Sequence, residues 1–383
     1  MSYFIVYLII AFVISVCLEV IIIPELIHIS HKKKLFDEID GRKLHSSWVS
    51  RLGGTTFTPI ILFTICITMS ISLYMDPNRE IMQVFGIGIK QVFFEFAVLF
   101  PCLIVLYFIG IRDDLIGSGY KVKFFIQVLC SIFLVVSGVC INDFHGLFGF
   151  SHIPPEFGYP LTVLIIVLII NAINLIDGID GLASGLSIIA FAILTYFYCE
   201  KGYLPFALIA ISSLGCLCAF FYYNVFGKGN IRKRKIFMGD TGSLTIGMVL
   251  AYLLIRYVVQ PVEPCPMLSC NPMIIFSIII IPCFDAIIVP FGRIVRGMAP
   301  FKPDKTHLHH KFIGIGFSAR LTLITILALS AAYIIMNFLL IHFIQITWIL
   351  SIDIVLYLSL NLYLHYKLKM VEKQKKATES IIN

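Results

Sequence analysis

Charged residues are scarce in this 383-residue chain: they make up 13% of it, whereas 59% of the residues are apolar and the mean hydropathy is +0.96. This scarcity excludes a soluble globular protein and favours a polytopic membrane protein. The sequence also lacks low-complexity tracts, clear internal repeats and any separate soluble domain. We therefore expect one transmembrane domain over residues 1–383, an all-α helix bundle, with a basic tail at residues 367–383.

Eleven stretches are long and apolar enough to cross a bilayer, since a spanning helix needs about 20 mainly apolar residues. They are residues 3–24, 55–75, 92–110, 123–141, 160–176, 182–199, 204–223, 242–259, 272–291, 321–343 and 348–366. The first stretch has no basic segment before it and no clear cleavage site after it. We expect it to be a retained span rather than a signal peptide.

Lysine and arginine are distributed unevenly between the two sides that eleven spans create. One set of alternate connections carries 25 of the 29 basic residues: 28–52, 111–123, 224–240, 292–320 and the part after 366. The positive-inside rule then predicts an external N-terminus and a cytoplasmic C-terminus. This topology, with attraction to anionic lipid, explains most of the net charge of +7. Nucleic-acid binding is disfavoured, because no basic module is large enough to fold alone.

Nine of the eleven cysteines lie in or beside apolar stretches, where small apolar packing is their simplest role. Cys265 and Cys270 lie in a predicted external loop and could form a disulfide in an oxidising compartment, which spacing alone does not decide. The sequence has no His-Glu-x-x-His helix motif and no cytoplasmic cysteine cluster. These absences disfavour a membrane zinc protease.

Five segments rich in polar residues all fall on the predicted cytoplasmic side of the spans. They cover residues 41–54, 110–117, 171–182, 237–243 and 293–310. A random distribution would have left some of them on the external side. Their common side predicts one site at the cytoplasmic boundary of the membrane.

Three aspartates in these segments are suited to a hard cation. Asp113 and Asp114 are adjacent at the predicted end of the third span. Asp240 lies in Gly-Asp-Thr-Gly-Ser, just before the eighth span. Separately, the pair could be a solvated helix end, and Asp240 could be a simple N-cap. Together they offer the oxygen ligands of a Mg²⁺ site that leaves positions for substrate phosphates.

The segment at 171–182 puts amides and acids at the end of an apolar stretch. Asn171, Asn174 and Asp177 recur every three residues, so they stay within one 120° arc of a helix. Hydrogen bonding between helices would explain the asparagines. It explains Asp177 and Asp180, each followed by glycine, less well, so we favour contact with a substrate.

The segment at 293–310 combines imidazoles with cations. His307, His309 and His310 share it with Arg293 and several lysines. A donor-rich cationic loop fits a polyphosphate better than a zinc ion, which would need ligands from elsewhere. A solvated basic loop is the simpler alternative.

In this order, the five segments resemble the polyprenyl-phosphate N-acetylhexosamine-1-phosphate transferases. The pattern Asn-x-x-Asn-x-x-Asp-Gly-x-Asp-Gly-Leu with Gly-Asp-Thr-Gly-Ser is specific, and the resemblance runs from about Lys43 to His310. Eleven spans and the sequence around residues 300–310 resemble the GlcNAc-1-phosphate branch rather than phospho-MurNAc-pentapeptide translocase, which stays the alternative. The resemblance implies a multi-pass protein of the bacterial inner (cytoplasmic) membrane, with a cytoplasmic active site.

The resemblance implies that undecaprenyl phosphate attacks the β-phosphate of a UDP-N-acetylhexosamine, releasing UMP and initiating a cell-envelope polysaccharide. Mg²⁺ would be the cofactor, with Mn²⁺ as a substitute, and Asp240 would hold it. Asp113 and Asp114 would orient or deprotonate the lipid phosphate, or assist the metal. The other matched positions would bind the nucleotide-sugar or its phosphates: Lys43, Asn171, Asn174, Asp177, Asp180, Asn224, Phe237 (on the uracil), Arg293, His307, His309 and His310.

Departures from the family pattern leave some points open. Gly117 stands where a third charged residue often follows the aspartate pair, and residues 227–235 look like a basic insertion between Asn224 and Asp240. An ion-coupled transporter is disfavoured, because its polar residues should lie near the bilayer midplane in both halves. The sequence leaves the sugar and a homodimer undecided.

Overall fold

The computed structural model describes residues 2–35, 49–75, 88–117, 119–227, 235–259, 272–295, 297 and 306–382. Within these ranges the chain is helical, and its only β-type pairings are two isolated bridges. The predicted all-α membrane bundle is thereby confirmed. Lys43, Cys265 and Cys270 lie outside the described residues.

Thirteen α-helices follow one another along the described chain. They are α1 (Ser2–Lys33), α2 (Phe57–Met75), α3 (Ile89–Ile116), α4 (Tyr120–Val136), α5 (Pro155–Ile176), α6 (Leu182–Glu200), α7 (Leu204–Phe226), α8 (Gly239–Val259), α9 (Pro272–Ser277), α10 (Ile280–Val295), α11 (Leu308–Gly314), α12 (Ala319–Leu340) and α13 (Ile346–Ile382). A 3-10 turn, Leu52–Thr56, precedes α2.

Nine helices in the described part of the chain are long and apolar enough to cross a bilayer. Two predicted spans take another form: residues 123–141 give the 17-residue helix α4, and residues 272–291 give the short α9, a turn at 278–279, and α10. The count of eleven crossings and the orientation therefore stay predictions. The predicted basic tail is the final part of α13.

Helix α8 is the centre of the bundle. All its residues from Thr241 to Tyr257 are buried, and it packs most extensively against α3 and α5. A buried ion pair ties it to α3, since Arg256 Nε lies 3.1 Å from Glu95 Oε2 and the hydroxyl of Tyr252 donates to the same oxygen at 3.0 Å. Charges within a bundle need such partners. The end of α8 is thus tied to the start of α3, and because the two helices are antiparallel the start of α8 lies beside the end of α3.

The two Asp-Gly pairs end α5 and begin α6 almost without a connection. The backbone leaves the helix at Asp177 (ψ 48°), and Gly181 adopts a left-handed conformation (φ +80°) that glycine takes without strain. The boundary between the stretches predicted at residues 160–176 and 182–199 is therefore confirmed. It places the carboxylates of residues 177 and 180 in a tight turn at the end of the bundle where α8 starts.

Candidate active site

The N-terminus of α8 is capped by a side chain from another helix. Asp114, near the end of α3, accepts hydrogen bonds from the backbone N–H of Asp240 (2.8 Å), the backbone N–H of Thr241 (3.0 Å) and the hydroxyl of Thr241 (2.6 Å). A carboxylate satisfies the free N–H groups of a helix start and its dipole. Gly239 makes the contact feasible, because its φ is +70° and a Cβ there would lie 2.7 Å from Asp114 Oδ1.

This cap leaves the side chain of Asp240 available for other contacts. The possibility that Asp240 is itself a simple N-cap is not what the structure shows: its carboxylate points to Lys123 and Asn174. Both oxygens of Asp114 are engaged by α8. The adjacent aspartates of α3 therefore make different contacts: Asp114 binds the start of α8, and Asp113 binds the ammonium of Lys123.

Lys123, in the first turn of α4, lies between two carboxylates. Its Nζ atom is 2.9 Å from Asp113 Oδ2 and 3.0 Å from Asp240 Oδ2. The side chains of Lys123 and Asp113 are 19% and 12% exposed, so solvent reaches the group only in part. Two carboxylate oxygens from α3 and α8 thus converge on one positive charge.

The two asparagines of α5 have different partners. Asn174 donates to Asp240 Oδ1 and, at 2.8 Å, to the hydroxyl of Ser243, so it orients the carboxylate on α8. Asn171 donates to Gln127 Oε1 on α4 at 2.6 Å and to the carbonyl of Val167. Interhelical hydrogen bonding, the alternative considered for these residues, describes Asn171 well.

The aspartates of the turn face opposite electrostatic surroundings. Burial, and then the negative charges of Asp240, Asp180 and Asp114, raise the pKa of Asp177 to about 8, against a smaller opposing effect of Arg51. Asp180 is instead paired with Lys235, whose Nζ lies 2.5 Å from its Oδ2. The surroundings of Asp177 therefore disfavour its negative charge, whereas the negative charge of Asp180 is neutralised by Lys235.

Asn224 and Phe237 lie beside this turn. Asn224 is buried; its amide oxygen accepts from the N–H of Gly181 (2.6 Å) and its nitrogen donates to the carbonyl of Ile236 (2.8 Å). Both ends of this amide are engaged by the protein, so it holds the turn against the segment leading to α8. Phe237 is half-buried, with the ammonium of Lys235 5.5 Å from its ring centre.

Residues 307–310, here called the histidine segment, pack directly on the Asp-Gly turn, residues 177–181. His309 is 1% exposed, and a Cβ added at Gly178 would overlap its ring. Burial lowers the pKa of His309 to about 3, with a smaller contribution from the neighbouring His310. Neither ring nitrogen of His309 has a hydrogen-bond partner among the described residues. A neutral imidazole with two unsatisfied nitrogens is suited to hydrogen bonding with a ligand.

A cavity of about 1080 Å³ joins these parts of the site. Its polar lining includes Lys123, Asn174, Arg293, His307, His309 and His310. From there it continues between α4 and α5 along apolar residues as far as Val136 and Tyr159, which are themselves exposed on the surface. The 14 residues of α4 from Lys123 to Val136 correspond to roughly 20 Å of helix. One end of the cavity is thus polar and cationic, and the rest is an apolar groove.

The side chains at this site can be compared with those that usually bind a divalent cation. Among the described residues no group of three or more His, Cys, Asp or Glu is arranged to hold a metal ion. Mg²⁺, however, is commonly bound through one or two carboxylates together with phosphate oxygens and water. Asp113 and Asp240 fit that pattern, because their oxygens already converge on the ammonium of Lys123.

The structure brings most of the predicted residues to one end of the bundle. Sequence reasoning missed three further members of the site: Lys123, Lys235 and Asp285. The first two had been counted only for their charge, although each is close to an acidic motif along the chain. Asp285 lies within the predicted span at residues 272–291, where a lone carboxylate is itself a signal of function.

The chain is similar in sequence to several enzymes. Residues 96–258, from α3 to α8, match the model of glycosyl transferase family 4. Undecaprenyl-phosphate alpha-N-acetylglucosaminyl 1-phosphate transferase of Yersinia pestis is 28% identical over 79% of this chain and 75% of its own length, and that of Escherichia coli K12 is 29% identical over 79% and 76%. A probable undecaprenyl-phosphate N-acetylglucosaminyl 1-phosphate transferase of Bacillus subtilis is 29% identical over 83% and 81%.

The matched region contains the aspartate pair of α3, Lys123, the Asp-Gly turn and the start of α8, which are the parts of the site that converge in space. Over this region the chain is similar to glycosyl transferase family 4, and over most of its length to undecaprenyl-phosphate N-acetylglucosaminyl 1-phosphate transferases.

Proposed function

We propose that this protein transfers an N-acetylhexosamine 1-phosphate from a UDP-sugar to undecaprenyl phosphate, releasing UMP. The observation that carries the proposal is the cavity, whose polar end adjoins Asp113, Lys123 and Asp240 and whose apolar groove opens along α4 and α5. Such a shape accepts a phosphate attached to a long isoprenoid. The names of the similar proteins support undecaprenyl phosphate as acceptor and GlcNAc as the first sugar to test.

In the proposed reaction an oxygen of the lipid phosphate forms a bond to the β-phosphorus of the UDP-sugar. The bond from that phosphorus to the bridging oxygen breaks, and UMP leaves with the electron pair. Catalysis of phosphoryl transfer depends mainly on positioning and on neutralising charge. The residues of this chain supply both: Lys123 and Arg293 are cations in the cavity lining, and the groove orients the acceptor.

Asp113 and Asp240 would hold Mg²⁺, for which Mn²⁺ could substitute. When bound, the metal would neutralise phosphate charge and make UMP a better leaving group. Asn174 keeps the carboxylate of Asp240 oriented, and Asp114 keeps the start of α8 in place. In this arrangement Asp113 is the member of the aspartate pair with access to the lipid phosphate, while Asp114 serves as a structural anchor.

The nucleotide-sugar would bind between the Asp-Gly turn and the histidine segment. Asp177 and Asp180 offer acceptors for sugar or ribose hydroxyls, His307, His309 and His310 offer imidazole groups for the diphosphate or sugar, and Phe237 offers a face for uracil. Lys43, outside the described residues, is a further phosphate-binding candidate. The predicted cytoplasmic orientation would allow a soluble nucleotide and a membrane lipid to meet here.

The test uses purified protein with undecaprenyl phosphate, Mg²⁺ and a panel of UDP-N-acetylhexosamines. We expect UMP and a lipid-linked sugar only when lipid phosphate, metal and the correct nucleotide-sugar are all present. Asp240→Asn should abolish turnover, whereas Glu156→Gln, in the exposed first turn of α5 at its opposite end, should be active. Wild-type protein that forms no lipid-linked sugar from any member of the panel would refute the proposal.

A further inference from the structure

We propose that Asp285 is a positioning residue, which fixes the location and the proton of His307 so that His307 can bind the diphosphate of the nucleotide-sugar. The inference rests on the proposed function, because it concerns the same site. Asp285 lies on α10 and is 2% exposed.

The carboxylate of Asp285 accepts hydrogen bonds from three groups. Its Oδ2 is 2.8 Å from Nδ1 of His307, and its Oδ1 is 3.0 Å from the backbone nitrogen of Leu308. The hydroxyl of Tyr357 on α13 donates to the same Oδ1 at 3.2 Å. Asp285 therefore connects α10, the start of α11 and α13 at the point where the histidine segment enters the site.

This geometry determines which nitrogen of His307 faces the ligand. A carboxylate can only accept hydrogen bonds, so Nδ1 must carry a proton directed at Asp285. Nε2 is then the ring nitrogen left for the cavity, which His307 lines together with Arg293. A hydrogen-bond partner that fixes the tautomer of a ligand-binding histidine commonly has a strong effect on function, although it does not touch the ligand.

The position of His307 also affects the next histidine. The rings of His307 and His309 are nearly parallel, 8° apart in plane with centroids separated by 6.0 Å, and His309 packs on Gly178 of the Asp-Gly turn. Asp285 thus contacts the segment that covers one wall of the proposed nucleotide-sugar site, although it lies in a predicted apolar span. An isolated carboxylate there is costly, and this network of donors compensates for the cost.

Tethering of three helices, without influence on His307, is the competing explanation. Asp285→Asn separates the two explanations, since the amide oxygen can still accept from Leu308 and Tyr357. Its amide nitrogen would instead donate to Nδ1 of His307, which reverses the tautomer. Tyr357→Phe is the matched control, because it removes one hydrogen bond to the carboxylate and leaves the contact with His307 intact.

The experiment measures steady-state kinetics of wild type, Asp285→Asn, His307→Asn, the double variant and Tyr357→Phe, with melting temperatures in detergent. We expect Asp285→Asn to lower kcat/KM for the UDP-sugar by roughly 10- to 100-fold, with the KM for undecaprenyl phosphate within about twofold of wild type. Added to His307→Asn, the same substitution should cost less than about twofold, because coupled residues are not additive. Tyr357→Phe should remain within about threefold of wild type.

Equal losses in the presence and absence of His307, or wild-type kinetics of Asp285→Asn, would overturn the inference. Should Asp285→Asn not accumulate, ¹⁵N-histidine spectra of the wild type, assigned with His307→Asn, decide it: a protonated Nδ1 of His307 supports it and an unprotonated Nδ1 overturns it. An inactive wild type would instead refute the proposed function, and the spectra would still test the contact between Asp285 and His307.

Discussion

Asp114 caps the helix that presents Asp240: the backbone N–H of Asp240 donates to Oδ1 of Asp114 at 2.8 Å, while the side chain of Asp240 turns to Lys123. The two carboxylates therefore have separate tasks, one holding a helix start and the other meeting a cation. Asp113, although adjacent to Asp114 along the chain, contacts the same cation as Asp240, the ammonium of Lys123.

The first prediction separates the neighbouring aspartates of α3. Asp114→Ala removes the cap of α8 and should lower the free energy of unfolding by about 1–2 kcal/mol, the usual cost of losing an N-cap, together with activity. Asp113→Ala should abolish activity but change the melting temperature little. Both quantities can be measured on detergent-purified protein. Equal melting temperatures for wild type and Asp114→Ala would contradict the structural role.

The second prediction concerns Lys123 and the proposed metal. Because its ammonium contacts the same two carboxylates that would hold Mg²⁺, Lys123→Ala should lower the Mg²⁺ concentration needed for half-maximal rate. It should also lower kcat by about tenfold or more, since a charge-neutralising group is lost. Titration of activity with Mg²⁺ measures both effects. Lys121→Ala, on an exposed position of the same turn, is the control and should match wild type.

The third prediction distinguishes the asparagines of α5. Asn171→Ala removes an interhelical hydrogen bond to Gln127 and should cost about 0.6–1.7 kcal/mol of stability, with kcat nearly unchanged. Asn174→Ala frees the carboxylate of Asp240 and should reduce kcat strongly. Thermal melting and steady-state rates test the pair. A larger loss of kcat in Asn171→Ala than in Asn174→Ala would reverse the assignment.

The fourth prediction concerns Gly178. A methyl group at this position would overlap the ring of His309, so Gly178→Ala should displace the histidine segment and raise the KM for the UDP-sugar. Gly88→Ala is the control, because a Cβ there would meet nothing within 4 Å. The KM values of the two variants decide the matter. Unchanged kinetics in Gly178→Ala would show that this packing is unimportant for binding.

The fifth prediction follows from the pKa of His309, which burial lowers to about 3. The unfolded chain binds a proton at this residue near pH 6.5, whereas the folded protein does not, so stability falls as pH drops below about 6.5. The loss between pH 6.5 and 5 should be about 2 kcal/mol. Unfolding at pH 7.5 and 5.0 should therefore show a smaller decrease for His309→Asn than for wild type. An equal decrease in both proteins would contradict a neutral, buried His309.

The break at Asp177 could be predicted from sequence because its cause is local. Two Asp-Gly pairs at the end of an apolar stretch terminate a helix wherever the chain folds, and the backbone leaves α5 at Asp177 as expected. The likeness of the acidic and histidine segments to a known family also needed no coordinates. Local conformation and motif composition are properties of short stretches, which a sequence contains in full.

The partners of individual polar groups could not be predicted in this way. Asp113 and Asp114 are neighbours of one type, yet they point to different groups because successive side chains of a helix project about 100° apart. The sequence suggested Asn224 as a ligand-binding residue, but it could not show that the amide contacts Gly181 and Ile236. Such contacts depend on which helices pack together.

By itself, the sequence determined an all-α membrane bundle and the polar segments that belong to its site, because hydropathy and local motifs decide these features. Only the tertiary structure decided that Asp114 serves α8, that Lys123 joins Asp113 to Asp240, and that Asp285 reaches the histidine segment. These pairs are separated by 10 to 127 residues along the chain, and their contacts exist only once α3, α4, α8 and α10 are packed.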